Sequence, residues 1–102
     1  MTTKHQYGIR NLEKKYGPMT LGLFIKAYRE ADEISQSDFA KKLKLSRANL
    51  CDIEKGRKLV TASRAAKIAI LIGVPAAALV QLAIQDQLRA EKLNFKVELK
   101  AA

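Results

Sequence analysis

The sequence predicts an all-α fold of five helices that is followed by one short β-strand. Between residues 20 and 92, apolar side chains recur with the 3.6-residue period of helices that bury one face. Serine, threonine, glycine and proline interrupt that pattern at short intervals, as is typical of helix ends. After residue 93, apolar residues alternate with charged ones, and this period of two indicates a strand.

The first two interruptions of the apolar pattern predict where the first and second helices begin. Thr20 is a residue type that caps helix N-termini, so the first helix is expected from Thr20 to about Ala31. Ser35, with an acid three residues later, resembles a capping box and predicts a second helix over residues 36–43. The polar residues 1–19 before them are interpreted as an N-terminal arm, with which one helical turn at residues 11–16 is compatible.

Three more helices follow at similar spacing. Ser46 can cap a third helix that runs to about Lys55, and Gly56 suits the left-handed turn that ends a helix. A fourth helix begins at Thr61 and ends at Gly73, and a fifth runs over residues 75–92. Because Gly73-Val74-Pro75 breaks the apolar stretch at residues 68–84, two buried helices are expected there and no membrane span.

The tail at residues 93–102 is expected to form the strand. Phe95, Val97 and Leu99 would lie on one apolar face. A single strand cannot satisfy its backbone groups or bury such a face by itself. The strand therefore pairs with its copy in a second subunit, pairs with another protein, or is frayed.

Composition narrows the class of protein. A chain of 102 residues is one domain's worth, and its formal net charge of +9 favours a polyanionic partner. Nine basic residues but only three acids lie between Ser35 and Lys67. Cys51 is the only cysteine and His5 the only histidine, so neither a disulfide nor a metal site is expected. We expect a cytoplasmic protein without a cofactor and without catalytic residues.

The second and third helices, joined by a short turn, predict a helix-turn-helix. Leu50 and Ile53 should face the interior, which turns Arg47 and its neighbours outward. Arginine can pair with guanine and asparagine with adenine, so Arg47 and Asn49 are suited to base edges in a major groove. Basic residues after the third helix are suited to the phosphate backbone.

Residues 21–80 resemble the Cro and lambda-repressor-like (XRE) helix-turn-helix family. The resemblance rests on Arg29, SQSDFAKKLKLS, the Leu50-x-x-Ile53-Glu54-x-Gly56 run, and Ala66-Lys67-Ile68-Ala69 before Gly73-Val74. It implies a lambda-repressor-like bundle and a structural ion pair between Arg29 and Glu54. Together, the residues and the resemblance predict a DNA-binding set: Gln36, Lys44, Ser46, Arg47, Ala48, Asn49, Asp52, Lys55, Arg57 and Lys58.

The chain departs from the family pattern at three positions. Lys44 stands where a glycine is usual, and a positive φ there would cost this residue on the order of 1 kcal/mol. Val60 replaces a common proline before the fourth helix. Asp52 places an anion on the outward side of the third helix, where it would accept from cytosine or repel phosphates.

Two functions are compatible with these features. The first is a sequence-specific transcriptional regulator, most simply a repressor, that binds an inverted repeat in double-stranded DNA as a homodimer. Its candidate dimer residues, which could equally complete the core, are Ile70, Val80, Ile84, Phe95, Val97 and Leu99. The second is an antitoxin that binds a protein toxin through residues 1–17 or 93–102 and represses its own operon, which a looser resemblance to small bacterial regulators suggests.

Overall fold

The computed structural model describes residues 18–100 and residue 102, and within them it has five helices. The predicted N-terminal arm, its helical turn and His5 lie almost wholly outside this part of the chain. The helices confirm the all-α prediction, and their ends differ from the predicted ends by two residues at most. They are α1 (Leu21–Ala31), α2 (Gln36–Lys42), α3 (Arg47–Glu54), α4 (Ala62–Ile72) and α5 (Ala76–Ala90).

Side-chain oxygens cap the first four helices at the residues where the sequence predicts their starts. In each case the oxygen accepts a hydrogen bond from the backbone N–H three residues later, which satisfies one of the donors left open at a helix start. The fifth helix instead begins after Pro75, which has no side chain that could cap it. The capping residues are Thr20, Ser35, Ser46 and Thr61.

A left-handed residue follows each described helix and turns the chain back. Gly56 and Gly73 hold this conformation after α3 and α4, with φ of 76° and 78°. Lys44 holds it after α2, with φ of 59°, which confirms the positive φ expected there. Glu33 and Lys92 do the same after α1 and α5. Because only glycine adopts this region without a steric cost, three of the five helix ends are strained.

The core lies between the amphipathic faces of all five helices. Phe39 of α2 is fully buried, and its ring stacks on Tyr28 of α1 with centroids 5.9 Å apart. The hydroxyl of Tyr28 donates to the carbonyl oxygen of Ile72 at 3.1 Å, which ties α1 to the end of α4. The other buried apolar residues are Leu21, Ile25, Ala40, Leu43, Leu50, Ile53, Ala65, Ile68, Ala69, Ile72, Leu79 and Ala83.

Two contacts fix α1 relative to its neighbours. A Cβ atom added to Gly22 would overlap the carbonyl oxygen of Ile53, so α1 approaches the backbone of α3 too closely for any other residue. At the start of α1, the Leu21 N–H donates to the Asp86 carboxylate of α5 at 3.0 Å. Asp86 therefore acts as a second N-terminal cap, supplied from 65 residues away in sequence.

The predicted C-terminal β-strand is wrong. Residues 93–100 form no strand, and glutamine side chains of α5 take the place of a neighbouring strand. Gln85 donates to the Phe95 carbonyl oxygen at 2.7 Å and accepts from the Val97 N–H at 2.8 Å. Gln81 accepts from the Leu99 N–H at 3.1 Å. These bonds satisfy backbone N–H and C=O groups on one side of the tail, as a neighbouring strand would. The alternating pattern of the tail therefore corresponds to an extended segment packed on a helix and not to a strand in a sheet.

None of the helices in the described residues combines the length and apolar content that crossing a bilayer would need. The apolar stretch around Gly73-Val74-Pro75 is divided between α4 and α5, as the sequence predicted.

Candidate nucleic-acid interface

The candidate interface is built on α2, α3 and the turn between them. Leu50 and Ile53 are 0% and 4% exposed, so α3 is anchored on its inner side, as the sequence predicted. Phe39, Ala40 and Leu43 anchor α2 in the same way. With both inner faces fixed, the side chains on the opposite side of α3 are turned toward solvent, whereas Glu54 in the last turn is buried.

The residues predicted for DNA contact come together on this outer surface. Most of them are exposed, and Gln36, Asn49 and Asp52 are partly buried by their neighbours. No other described element lies over the first turn of α3, where Arg47 and Ala48 are both exposed. The exposed members of the set are Lys44, Ser46, Arg47, Ala48, Lys55, Arg57 and Lys58.

Beneath the surface, Arg29 and Glu54 form the predicted ion pair. Arg29 Nε lies 2.8 Å from Glu54 Oε2, and Nη2 lies 3.1 Å from Oε1. Nη1 also donates to the Ile34 carbonyl oxygen at 3.1 Å. Hydrogen bonding to Glu54 raises the pKa of Arg29 above its ordinary value, against the opposing effect of burial. The pair joins α1 to the last turn of α3, and its role is structural.

Gln36 connects this ion pair to the outer surface. Its Nε2 donates to Glu54 Oε1 at 3.2 Å, and its Oε1 accepts from Arg47 Nε at 3.3 Å. A carboxylate can only accept and a guanidinium can only donate, so the two partners fix which end of the amide faces which way. Gln36 therefore orients the Arg47 guanidinium, whose terminal nitrogens have no partner among the described residues.

The loop after α3 folds back along the same helix. The Gly56 N–H donates to Ile53 O at 3.1 Å and the Arg57 N–H to Asp52 O at 2.8 Å, which is the bonding of a Schellman cap. Arg57 Nη1 then lies 3.5 Å from Asp52 Oδ1. Lys58 Nζ donates to Asn49 Oδ1 at 2.9 Å. Two cations of the loop thus face two acceptors of α3.

A family model for helix-turn-helix proteins matches residues 25–79, which is more than half of the chain. The chain belongs to the XRE-type helix-turn-helix family. Over 54 residues it is 43% identical to the "ImmF control region 10 kDa protein" of Bacillus phage phi105, which covers 53% of this chain and 60% of the relative. The chain thus spans about three-fifths of that relative's length. No solved structure gives a significant match.

The candidate dimer residues of this helix-turn-helix protein divide into three groups. Ile70 on α4 and Phe95 in the tail are 74% and 67% exposed and complete no core. Val80 packs against the core, so for that residue the core interpretation holds. The three that are partly buried without being part of the core cluster are Ile84, Val97 and Leu99.

Several residues that shape this helix-turn-helix domain escaped the sequence analysis. Gly22 carried a signal, because a glycine inside a helical pattern often marks a close approach. Asp86 and the bridging role of Gln36 carried none, since each depends on a partner that is distant in sequence. The pair Gln81 and Gln85 is spaced four residues apart on α5, which places both on one helix face but does not identify what they bind.

Proposed function

We propose that this protein is a sequence-specific transcriptional regulator that inserts α3 into the major groove of duplex DNA. The observation that carries the proposal is the division of α3 into a fully buried side, which Leu50 and Ile53 form, and a polar outer side. An α-helix fits the major groove, and side chains near its N-terminus reach base edges first. Membership of the helix-turn-helix family supports the same use of the surface.

Base reading is assigned to Arg47 and Asn49. The bond from Arg47 Nε to Gln36 leaves the two terminal nitrogens as a fork that matches guanine O6 and N7. Asn49 follows Arg47 by two residues in the first turn of α3, where its side chain is partly exposed. Gln36 would hold the arginine in place before DNA arrives, which lowers the entropy lost on binding.

Phosphate contacts are assigned to the cations that surround α3. Lys44 and Lys55 are exposed at the two ends of the region and have no side-chain partner among the described residues. Asp52 is paired with Arg57, so its negative charge is partly offset before it meets a phosphate. Of the two effects expected for Asp52, repulsion is therefore the weaker one, and acceptance from a cytosine amine remains available.

The proposed DNA-bound form is a two-fold dimer on an inverted repeat. A single recognition helix reads only a few base pairs, which is too little specificity for a genome. A two-fold dimer would present its two α3 helices to half-sites that are one DNA turn, ~34 Å, apart. Exposed Ile70 and Phe95 are the apolar residues best placed to face a second copy. Occupation of an operator by such a dimer would repress transcription by excluding the polymerase.

The proposal is tested by selecting bound sequences from a random duplex pool with the wild type, then measuring affinities for the selected site. Arg47→Ala should cost roughly 1–3 kcal/mol and relax the preference at one base position per half-site. Wild-type affinity should also fall steeply with salt, because each neutralised phosphate releases counterions.

Lys26→Ala is the matched control, since Lys26 is an exposed lysine of α1 that does not belong to the predicted DNA-binding set. It should leave the selected sequence unchanged. Selection of no sequence by the wild type, or an Arg47→Ala variant with unaltered preference, would show that the DNA-binding surface is assigned wrongly.

The antitoxin hypothesis keeps the same DNA surface and adds a protein toxin as partner. Of the two segments proposed to bind it, residues 1–17 lie outside the described chain and the tail is held on α5 by Gln81 and Gln85. Sequencing the neighbouring genes tests it, because an antitoxin gene lies beside a small reading frame that encodes its toxin.

A further inference from the structure

We infer that Lys58 determines base specificity by positioning Asn49, in addition to contacting phosphate. From its position in the sequence, Lys58 is expected to contact only the phosphate backbone, which would make its effect equal at every DNA sequence. In the structure its ammonium donates to Asn49 Oδ1 at 2.9 Å, across nine residues of chain. The inference rests on the proposed function and names a residue that sets the specificity of the same surface.

The contact decides which way the Asn49 amide faces. An amide presents an acceptor at Oδ1 and two donors at Nδ2, and its two orientations differ by a half-turn. An ammonium has donors only, so the atom beside Lys58 Nζ must be the oxygen. The amide nitrogen of Asn49 is consequently directed away from Lys58 and is left to donate to another partner.

A fixed amide reads a base differently from one that rotates. With Oδ1 engaged by Lys58, Asn49 offers a donor to the groove, and purines present an acceptor there at N7 whereas cytosine presents an amine donor. Thymine also presents an acceptor, O4, so the base opposite Asn49 should be any base except cytosine. Without Lys58 both amide orientations become accessible, and either a donor or an acceptor on the base can be satisfied.

The backbone places Lys58 where it can do this. Gly56 adopts φ of 76°, and the Schellman bonds to Ile53 and Asp52 return the loop over the outer side of α3. The neighbouring pair of Arg57 and Asp52 holds the loop on the same side. Lys55 supplies an internal comparison, because it is an exposed lysine at the end of α3 and has no side-chain partner among the described residues.

The experiment compares Lys58→Met with Lys55→Met in the full chain, by sequence selection and by affinity for each base at the selected positions. Both variants lose a phosphate contact, so both should bind all sequences more weakly and show a shallower salt dependence. Only Lys58→Met should also reduce the preference for an acceptor-bearing base over cytosine at the Asn49 position, from roughly tenfold to near equality. Lys58→Arg, which keeps a donor, should retain most of that preference.

A second readout does not involve DNA. In the free protein, the Asn49 side-chain amide resonances should shift in Lys58→Met and stay in place in Lys55→Met. Equal base preferences in the two methionine variants, or an Asn49 amide that is insensitive to Lys58, would overturn the inference while leaving the proposed function intact. A wild type that selects no sequence would overturn both.

Discussion

Arg29 and Glu54 form an ion pair that is largely buried, with side chains 14% and 3% exposed. Glu54 also accepts from Gln36, so one carboxylate receives donors from α1 and α2 while it belongs to α3. A buried charge is costly unless it is paired and fully hydrogen-bonded. Removing either residue would leave the charge of the other buried without a partner. This pair is where a single substitution should be most damaging.

Arg29→Ala should lower the free energy of unfolding by about 3–5 kcal/mol, because it leaves Glu54 buried without its partner. Urea denaturation followed by circular dichroism measures the loss. Arg57→Ala is the control: its pair with Asp52 is 3.5 Å long and exposed, so its loss should cost less than about 1 kcal/mol. Similar losses in both variants would contradict the distinction between a buried and an exposed pair.

Lys44 stores strain at a single residue. Its φ of 59° lies in the left-handed region, which residues with a side chain disfavour. Its ammonium makes no hydrogen bond or ion pair within the described residues that would offset the cost of this conformation. Lys44→Gly should raise the free energy of unfolding by about 1 kcal/mol. Lys41→Gly, within the exposed side of α2, should instead lower it by about 1 kcal/mol. Thermal denaturation of the two variants measures whether each change raises or lowers stability. A destabilised Lys44→Gly variant would show that the lysine side chain contributes more to stability than the backbone strain costs.

At the scale of elements, the N-terminus of α1 depends on a carboxylate from α5. Asp86 accepts from the Leu21 N–H, and it also pairs with Arg89 at 3.1 Å on its own helix. Burial raises the pKa of Asp86 above its ordinary 3.8, and the Leu21 N–H and Arg89 oppose that rise only in part. The folded protein therefore binds a proton at Asp86 more tightly than the unfolded chain does.

A raised folded pKa stabilises the protein most below about 3.8, and that contribution is lost as the pH rises through the raised pKa. Asp86→Asn keeps an oxygen for the Leu21 N–H and cannot ionise. The wild type should thus lose stability relative to Asp86→Asn as the pH rises above about 3.8 and through the raised pKa of Asp86. Urea midpoints of both proteins at several pH values measure the difference, in which other carboxylates cancel. A difference that does not change with pH would contradict the assignment to Asp86.

At the scale of the whole molecule, the tail extends the apolar surface of the helical domain. Gln81 and Gln85 hold it against α5, while Phe95 remains exposed. Ile70 and Phe95 are the two most exposed of the large apolar side chains in the described residues. In the proposed dimer, a second copy would cover such exposed apolar residues.

A chain truncated after Asn94 should therefore dimerise more weakly than the full chain, as light scattering over a concentration series would show. Leu59→Glu is the control, since Leu59 is an exposed apolar residue in the loop after α3 and outside the proposed dimer surface. It should leave the association unchanged. A truncated chain with an undiminished dimer would remove the tail from the interface and leave the surface around Ile70.

The helices, four of their caps and the inner side of α3 could be predicted because each depends on residues within a few positions of one another. Leu50 and Ile53, three positions apart, share one helix face in any context that has a core. The tail was predicted wrongly for the same reason: alternation in residues 95–99 defines an extended chain with two faces, but not what lies against it. The glutamine side chains of α5 form the backbone hydrogen bonds that a neighbouring strand would otherwise provide.

The sequence by itself determined where the helices begin and end and which side of α3 faces the solvent, because backbone hydrogen bonding and apolar periodicity act over one or two turns. Only the tertiary structure decided that Gly22 touches the backbone of α3, that Asp86 caps α1, and that Lys58 turns back to Asn49. These contacts join residues whose positions depend on how the helices pack and on where the loops return, and no local pattern of residues encodes that.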